Sequence, residues 1–255
     1  MKTELGLAGT VVLVTGGVRG VGRGIAEVFR AHGAHVVVCA RRAAPTEAEF
    51  VACDVREEAQ VAALVEGIVS RHGRLDVVVN NAGGAPYVSA AEASPRLHEK
   101  VVQLNLLAPL LVAQHANAVM QRQDSGGSIV MISSVSGTRP SPGTAAYGAA
   151  KAGLDNLTAS LAVEWAPKVR VNALDVGMVR TEQAHLHYGS EAAVEAVGKT
   201  VPLGRLAEPA EVGHCAAFLA SGLASYVSGA TLRVHGGGEV PAFLAAADVN
   251  HREDS

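Results

Sequence analysis

The chain of 255 residues has only three cysteines, Cys39, Cys53 and Cys215, an odd number with no Cys-x-x-Cys pair. That argues against a disulfide scaffold and suits a reducing cytoplasm. Charge of one sign is missing too: the net charge is −3, and the lysines and arginines are scattered. Without a basic patch there is no electrostatic footprint for nucleic acid. Long apolar runs are also absent. The most apolar long segment, 104–120, is interrupted by Asn105, Pro109, Gln114, His115 and Asn117, whereas a bilayer span needs about 20 mostly apolar residues. Near the N-terminus, TVVLVTGG is short and ends in glycines, so no signal peptide is read there. The ten histidines cluster only as His185-Leu-His187, with no Cys or acidic partner at ligand spacing, so no metal site is expected. The expectation is a soluble, cytoplasmic protein.

What is present is a regular alternation. Short Val/Ile-rich runs at 10–15, 35–40, 50–53, 75–80, 128–133, 169–175 and 230–235 read as strands. Helical stretches read between them at about 21–32, 56–72, 96–123, 144–166, 183–198 and 208–221. Continuous apolar strands are buried on both faces, which means a parallel sheet with helices on each side. No linker, repeat or low-complexity tract divides the chain. The expected fold is a single α/β domain over 1–255, a doubly wound Rossmann-type sheet of seven parallel strands. Residues from about 239 onward read as a C-terminal extension with a flexible end.

In such sheets ligands bind beyond the carboxyl ends of the strands. The first strand ends in TGGVRGVG, placing Gly16, Gly20 and Gly22 ahead of an apolar helix. Glycine permits a tight turn and close approach to a pyrophosphate, and the helix N-terminus offers free N–H groups. NNAG, Asn80 to Gly83, ends the fourth strand. Asn105 lies inside a helix in VVQLNLLAP. Ser134 ends the fifth strand, and Tyr147 and Lys151 follow as Tyr-x-x-x-Lys, four apart and so on one helix face.

This ordered set, with the tail EPAEVGHCAAFLAS…SYVSGATLRVHGG, resembles the short-chain dehydrogenase/reductase family over residues 9–238. The resemblance implies an NAD(P)-dependent oxidoreductase acting on CH–OH donors. Tyr147 is implied as the acid or base, a phenol whose ordinary pKa near 10 is lowered by a neighbouring ammonium. Lys151 is implied to depress that pKa and to hold the nicotinamide ribose. Ser134 is implied to steady the substrate oxygen, and Asn105 to anchor a proton-relaying water. For the cofactor the implied contacts are Gly16, Val18, Arg19, Gly20, Val21, Gly22, Arg41, Arg42, Asp54, Val55, Asn81, Ala82, Gly83, Tyr147, Lys151, Gly177, Val179 and Thr181. Asp54 and Val55 belong near the adenine.

The second strand ends in Ala40-Arg41-Arg42, where NAD-dependent relatives place an aspartate, and Arg19 precedes a motif glycine. Guanidinium groups grip a 2′-phosphate that an aspartate would repel, so NADP(H) is expected over NAD(H). One departure stands out: DVGMVRT puts Val176 where the family has proline, and Asp175 has no assigned role.

Substrate contacts are expected from Ala85, Pro86, Tyr87, Val135, Ser136 and Met178, mostly apolar, with a mobile segment at about 182–200 closing over a small ketone or secondary alcohol. Arg139 and Arg180 are the two cations able to turn inward and bind an acid instead. A 3-oxoacyl-[acyl-carrier-protein] or acyl-CoA reductase is the competing enzyme reading. Ser125-Gly126 and Pro167 stand where carrier-docking basic residues belong, although Lys168 is adjacent. A non-enzymatic NADP sensor would not need the whole Ser-Tyr-Lys-Asn set, and a structural oligomer would not need TGGVRGVG or NNAG. A homotetramer, with a homodimer as the alternative, is expected from helix 144–166. Its small residues run from Ala145 to Gly153, and Leu154, Leu157, Leu161 and Trp165 read as an apolar outer face.

Overall fold

The computed structural model describes residues 4–246. The strands are β1 (Val11–Thr15), β2 (His35–Ala40), β3 (Glu49–Ala52), β4 (Val77–Asn80), β5 (Gly127–Ser134), β6 (Val169–Val176) and β7 (Thr231–Val234). The helices are α1 (Gly20–Ala31), α2 (Glu58–His72), α3 (Pro95–Val102), α4 (Ala108–Met120), α5 (Ala145–Glu164), α6 (Ala184–Tyr188), α7 (Glu191–Gly198), α8 (Pro209–Ala220) and α9 (Ala242–Ala246). The strands form one all-parallel seven-stranded sheet in the order β3-β2-β1-β4-β5-β6-β7. The last residues of the expected C-terminal extension, 247–255, lie outside the described residues.

Every residue of β1 and β4 is buried, as strands covered on both faces must be. On one face Val12, Val14, Val130 and Leu174 meet Ile25 and Phe29 of α1 and Val212 and Ala216 of α8. On the other, Leu13, Val78, Ile129 and Met131 meet Leu64 and Ile68 of α2, Val112 of α4 and Leu154 of α5. Each large side chain so buried contributes about 1.5–3 kcal/mol. Helices α1 and α8 approach closely through glycine: a Cβ on Gly24 would stand 2.4 Å from Pro209, and one on Gly213 2.8 Å from Val28.

Three expectations need correction. The helix expected over 96–123 is two helices joined by a π turn, Gln103–Leu107. The helix expected over 183–198 breaks between α6 and α7. There Gly189 takes φ +88°, a region open chiefly to glycine, and Ser190 caps α7 by accepting from the Ala193 N–H. Along α5, Leu154 and Leu161 are buried against the sheet, and Leu157 and Trp165 pack on the same core rather than facing outward. The outer face of α5 instead carries Ala145, Ala149, Ala152, Asn156, Ala159 and Val163, the last 80% exposed.

Candidate active site

Strand order reverses between β1 and β4, so the carboxyl ends of these strands flank a crevice. The glycine-rich turn and NNAG are built as one unit there. The Thr15 hydroxyl accepts from the N–H groups of Asn81 and Ala82, both at 2.9 Å, and the Asn81 amide donates to the Thr15 carbonyl at 2.9 Å. Gly16 and Gly20 take φ +65° and +53°. A Cβ on Gly22 would stand 2.4 Å from both the Asn81 amide nitrogen and the Gly16 carbonyl oxygen. Only glycine fits, and the backbone stays bare where helix α1 begins. The sequence reading missed Thr15, whose role is hidden inside a run that reads simply as strand.

The segment after β6 folds over this turn. Val176, with its own N–H in place of the family proline, is the last residue of β6, in register with Ser134 and Val234. Beyond it the chain is tied to residue 207 by hydrogen bonds from Ala207 N–H to Met178 O and from Arg180 N–H to Ala207 O. Thr181 closes on Gly20, with 3.5 Å between its methyl and the place of a Gly20 Cβ. The neighbouring Glu182 accepts from the Gly20 N–H at 2.9 Å. Glu182 is a second residue the sequence did not single out.

The other expected cofactor contacts divide. Val18 and Val55 are buried and Val21 packs on the core, so their side chains serve the fold. Arg19, Arg41 and Arg42 are exposed and form no ion pair among the described residues. Asp54 is chelated by Arg56 at 2.9 and 2.5 Å, and this pairing, with the charge of Arg41, lowers its pKa.

Ser134, Tyr147 and Lys151 converge. Ser134 ends β5 and accepts from the Ser136 N–H at 3.2 Å, while Tyr147 and Lys151 share one face in the first two turns of α5. The Lys151 ammonium lies 5.6 Å over the Tyr147 ring centroid and donates to the Ile132 carbonyl at 2.7 Å. Burial lowers the Lys151 pKa to about 8, against the charge of Asp155, which favours the ammonium. For Tyr147 the expected lowering is not found. Burial pushes its pKa up, a hydrogen bond with Ser134 opposes that, and the charge of Asp175 adds to the rise. The ammonium lies over the ring and donates to the Ile132 carbonyl.

Asn105 sits in the π turn, fully buried. Its carbonyl oxygen accepts from Gly84 N–H at 2.8 Å, and its amide donates to the Gly84 and Val101 carbonyls, both at 2.9 Å. Both of its N–H groups are thus spent on backbone, leaving one lone pair for a water. π turns of this kind recur at functional sites. A Cβ on Gly83 would stand 2.7 Å from the Asn105 oxygen and 3.6 Å from the Lys151 nitrogen, so NNAG reaches the same place.

Beside Tyr147 a small cavity is lined by Ala85, Pro86, Val101, Gly143, Thr144 and Ala146 among others, with His98, a residue unread in the sequence, in its wall. Of the expected substrate contacts only Ala85 and Pro86 line it. Tyr87 is 80% exposed and lies against Gly143. Val135 and Ser136 form a 3-10 turn after Ser134, and Met178 packs with Ala184, Val194 and Leu206. Arg139 pairs with Glu239 at 2.6 Å and Arg180 pairs with Glu191. Among the described residues no group of three or more His, Cys, Asp or Glu is placed to hold a metal ion, and no helix is long and apolar enough to cross a membrane.

Comparison with known proteins agrees with this geometry. The family profile described as enoyl-(acyl carrier protein) reductase matches residues 16–239. L-fucose dehydrogenase of Oryctolagus cuniculus is 39% identical over 91% of this chain and 86% of its own length. Oxidoreductase UcpA of Escherichia coli (strain K12) is 36% identical over 92% of this chain and 96% of its own. The solved structure of Thermoplasma acidophilum aldohexose dehydrogenase superposes with a TM-score of 0.87 at 33% identity, covering 91% of this chain and 94% of that one. Matches of this identity span nearly the whole chain, and the chain therefore belongs to the short-chain dehydrogenase/reductase family of oxidoreductases.

Proposed function

We propose that the protein interconverts a small ketone and a secondary alcohol with NADP(H), using Tyr147 as the acid or base. The observation that carries this reading is the convergence of Ser134, Tyr147 and Lys151 beside an apolar cavity. A bound nicotinamide cofactor would supply the hydride in reduction and accept it in oxidation. The glycine turn supports a dinucleotide, since bare backbone at an α-helix N-terminus suits a pyrophosphate. Arg19, Arg41 and Arg42 support a 2′-phosphate, being exposed cations without ion-pair partners among the described residues.

In reduction the phenol of Tyr147 gives its proton to the carbonyl oxygen, and in oxidation the phenolate takes the hydroxyl proton. Ser134 donates a hydrogen bond to that oxygen as negative charge gathers on it. Lys151 supplies positive charge over the ring and would hold the nicotinamide ribose of a bound cofactor. Asn105 holds Gly84, and with it the NNAG turn, against α3.

The lining by Ala85, Pro86, Val101 and Ala146 supports an uncharged, largely apolar substrate. A sugar is the second reading, favoured by the names of L-fucose dehydrogenase and aldohexose dehydrogenase among the relatives. We place the enzyme in the cytoplasm as a homotetramer. Exposed Val163, Phe218, Leu223, Tyr226 and Leu232 support the assembly, and light scattering showing a stable monomer at micromolar concentration would refute it. The functional test is a panel of ketones, secondary alcohols and sugars with each nicotinamide cofactor, followed at the nicotinamide absorbance band. No turnover across the panel despite tight NADPH binding would favour a sensor.

A further inference from the structure

The cavity beside Tyr147 has largely apolar walls, and three polar side chains interrupt them: Thr144, Tyr147 and His98. Two of the three are already committed. The Thr144 hydroxyl lies 2.6 Å from the Ser141 hydroxyl, and the Tyr147 hydroxyl has Ser134 and, in the proposed reaction, the substrate oxygen. His98 is unspent. Its half-buried ring makes no hydrogen bond or ion pair among the described residues.

The backbone fixes where that ring stands. Ser94 caps α3 by accepting from the Leu97 N–H at 3.3 Å, and the His98 N–H donates to the Ser94 carbonyl at 3.2 Å. His98 and Val101, three residues apart, share the helix face that lines the cavity. Asn105, in the turn that follows, ties this end of the helix to Gly84 at 2.9 Å, next to Ala85 and Pro86 in the wall. Across the cavity the Val88 N–H donates to the Gly143 carbonyl at 2.9 Å. The walls are thus joined to one another, and a polar group in a fixed apolar cavity orients what binds there. A ligand atom that pairs with it gains a hydrogen bond, whereas an apolar one leaves it unsatisfied.

Size and chemistry narrow the ligand. The cavity volume is about 20 Å³, room for little more than one water-sized group. An imidazole donates from a ring nitrogen in either protonation state, and the neutral ring also accepts. A hydroxyl does both.

We propose that His98 is a specificity-determining residue, selecting a ketone that carries a hydroxyl on the carbon next to the carbonyl, or the corresponding vicinal diol in oxidation. With the carbonyl oxygen at Tyr147, the neighbouring hydroxyl enters the cavity and pairs with the His98 ring. This selectivity rests on the acid–base reading of Tyr147, which places the carbonyl. A sugar shares the same pair of neighbouring oxygens, so the simple ketone and the sugar meet in this substrate class.

The experiment compares 1-hydroxybutan-2-one with pentan-3-one, which differ by a hydroxyl in place of a methyl. The hydroxyl's own activation of the carbonyl is the same in every variant, so it cancels when ratios of kcat/KM are compared with the wild type. In His98→Leu the ratio of hydroxy ketone to ketone should fall by about two- to tenfold. His98→Asn or His98→Gln, each keeping a donor and an acceptor, should restore part of it. A ratio unchanged in His98→Leu overturns the proposal, even where both rates fall together as lost packing would make them. Nitrogen NMR of the wild type with NADP+ gives a reading independent of turnover. There 1-hydroxybutan-2-one should shift the ring signals of His98, assigned by their absence from His98→Gln, and pentan-3-one should move them less. Signals moved by neither ketone, or by both equally, overturn the proposal even where the leucine variant fails to fold. A wild type that shows the selective shift but reduces neither ketone sinks the proposed reaction and leaves the His98 site standing.

Discussion

The Lys151 ammonium lies 5.6 Å over the Tyr147 ring while donating to the Ile132 carbonyl, buried where its pKa falls to about 8. Its folded value lies below the ordinary 10.5, so holding the charge costs stability. The cost is present in full below pH about 8 and fades as pH rises toward the unfolded value. A shift of this size corresponds to about 3 kcal/mol as an upper figure. Lys151→Met should therefore be inactive, and its stability relative to the parent should fall between pH 8 and 10, while the Ile132 carbonyl it leaves unpaired offsets about 1–3 kcal/mol of the gain at every pH. Thermal melts across that range check it, and an advantage that grows with pH contradicts the assignment.

Tyr147→Phe removes only the ionisable hydroxyl from a ring held by its surroundings. Turnover should fall by at least about a hundredfold, while NADPH affinity, measured by fluorescence titration, stays within a few-fold. Near-parental ketone reduction by the purified variant would reject Tyr147 as the acid.

The central strands are legible in the sequence because Val/Ile runs buried on both faces are unbroken, as at Val11–Val14 and Val77–Val79, whereas the edge strands β3 and β7 are only partly covered and show in the sequence by their β-forming residues alone. Ser134, Tyr147 and Lys151 are legible because spacing along a strand end and one helix face carries them together. The π turn at Asn105 is not legible, since no glycine or proline inside Gln103–Leu107 marks it and the Asn105–Gly84 hydrogen bonds bridge distant segments. The outward reading of Leu154 and Leu161 failed for a related reason. The Ala-rich start of α5 hides which face meets the sheet, and tertiary packing decides it.

Arg19 and Arg41 should set cofactor choice. Charge-assisted contacts contribute about 1.5–3 kcal/mol each, enough for a preference of roughly tenfold or more for NADP(H). Arg41→Asp should erase or reverse it. Equal kcat/KM for the two cofactors in the parent would sink this reading.

Glu182 holds the Gly20 N–H at the start of α1, where a phosphate group would need the same donor and would meet a like charge. An acidic group at a helix N-terminus gains about 0.3–1 kcal/mol there. Relieving that competition in Glu182→Gln should tighten NADPH binding by about two- to fivefold. Calorimetric titration at low salt is the check. Weaker binding would mean that Glu182 supports the bound cofactor instead of competing with it.

Substrate charge is the last expectation. Arg139 is paired with Glu239 and Arg180 with Glu191, so each cation already has its carboxylate. A carboxylate substrate would have to break one of these pairs, and an exposed pair is worth only up to about 1 kcal/mol. The pairing therefore raises a modest barrier, and the largely apolar lining of the cavity near Tyr147 adds the larger one by leaving a charge only the His98 ring and the Thr144 and Tyr147 hydroxyls to meet. An uncharged ketone should outperform its ω-carboxylate analogue in kcat/KM by about tenfold or more, because desolvating an unpaired charge costs well above 1.4 kcal/mol. Glu239→Gln frees the Arg139 guanidinium and should narrow that gap while leaving the uncharged ketone unaffected. A parental preference for the carboxylate, lost in Arg139→Ala or Arg180→Ala, would show that one of these arginines turns inward to bind acids.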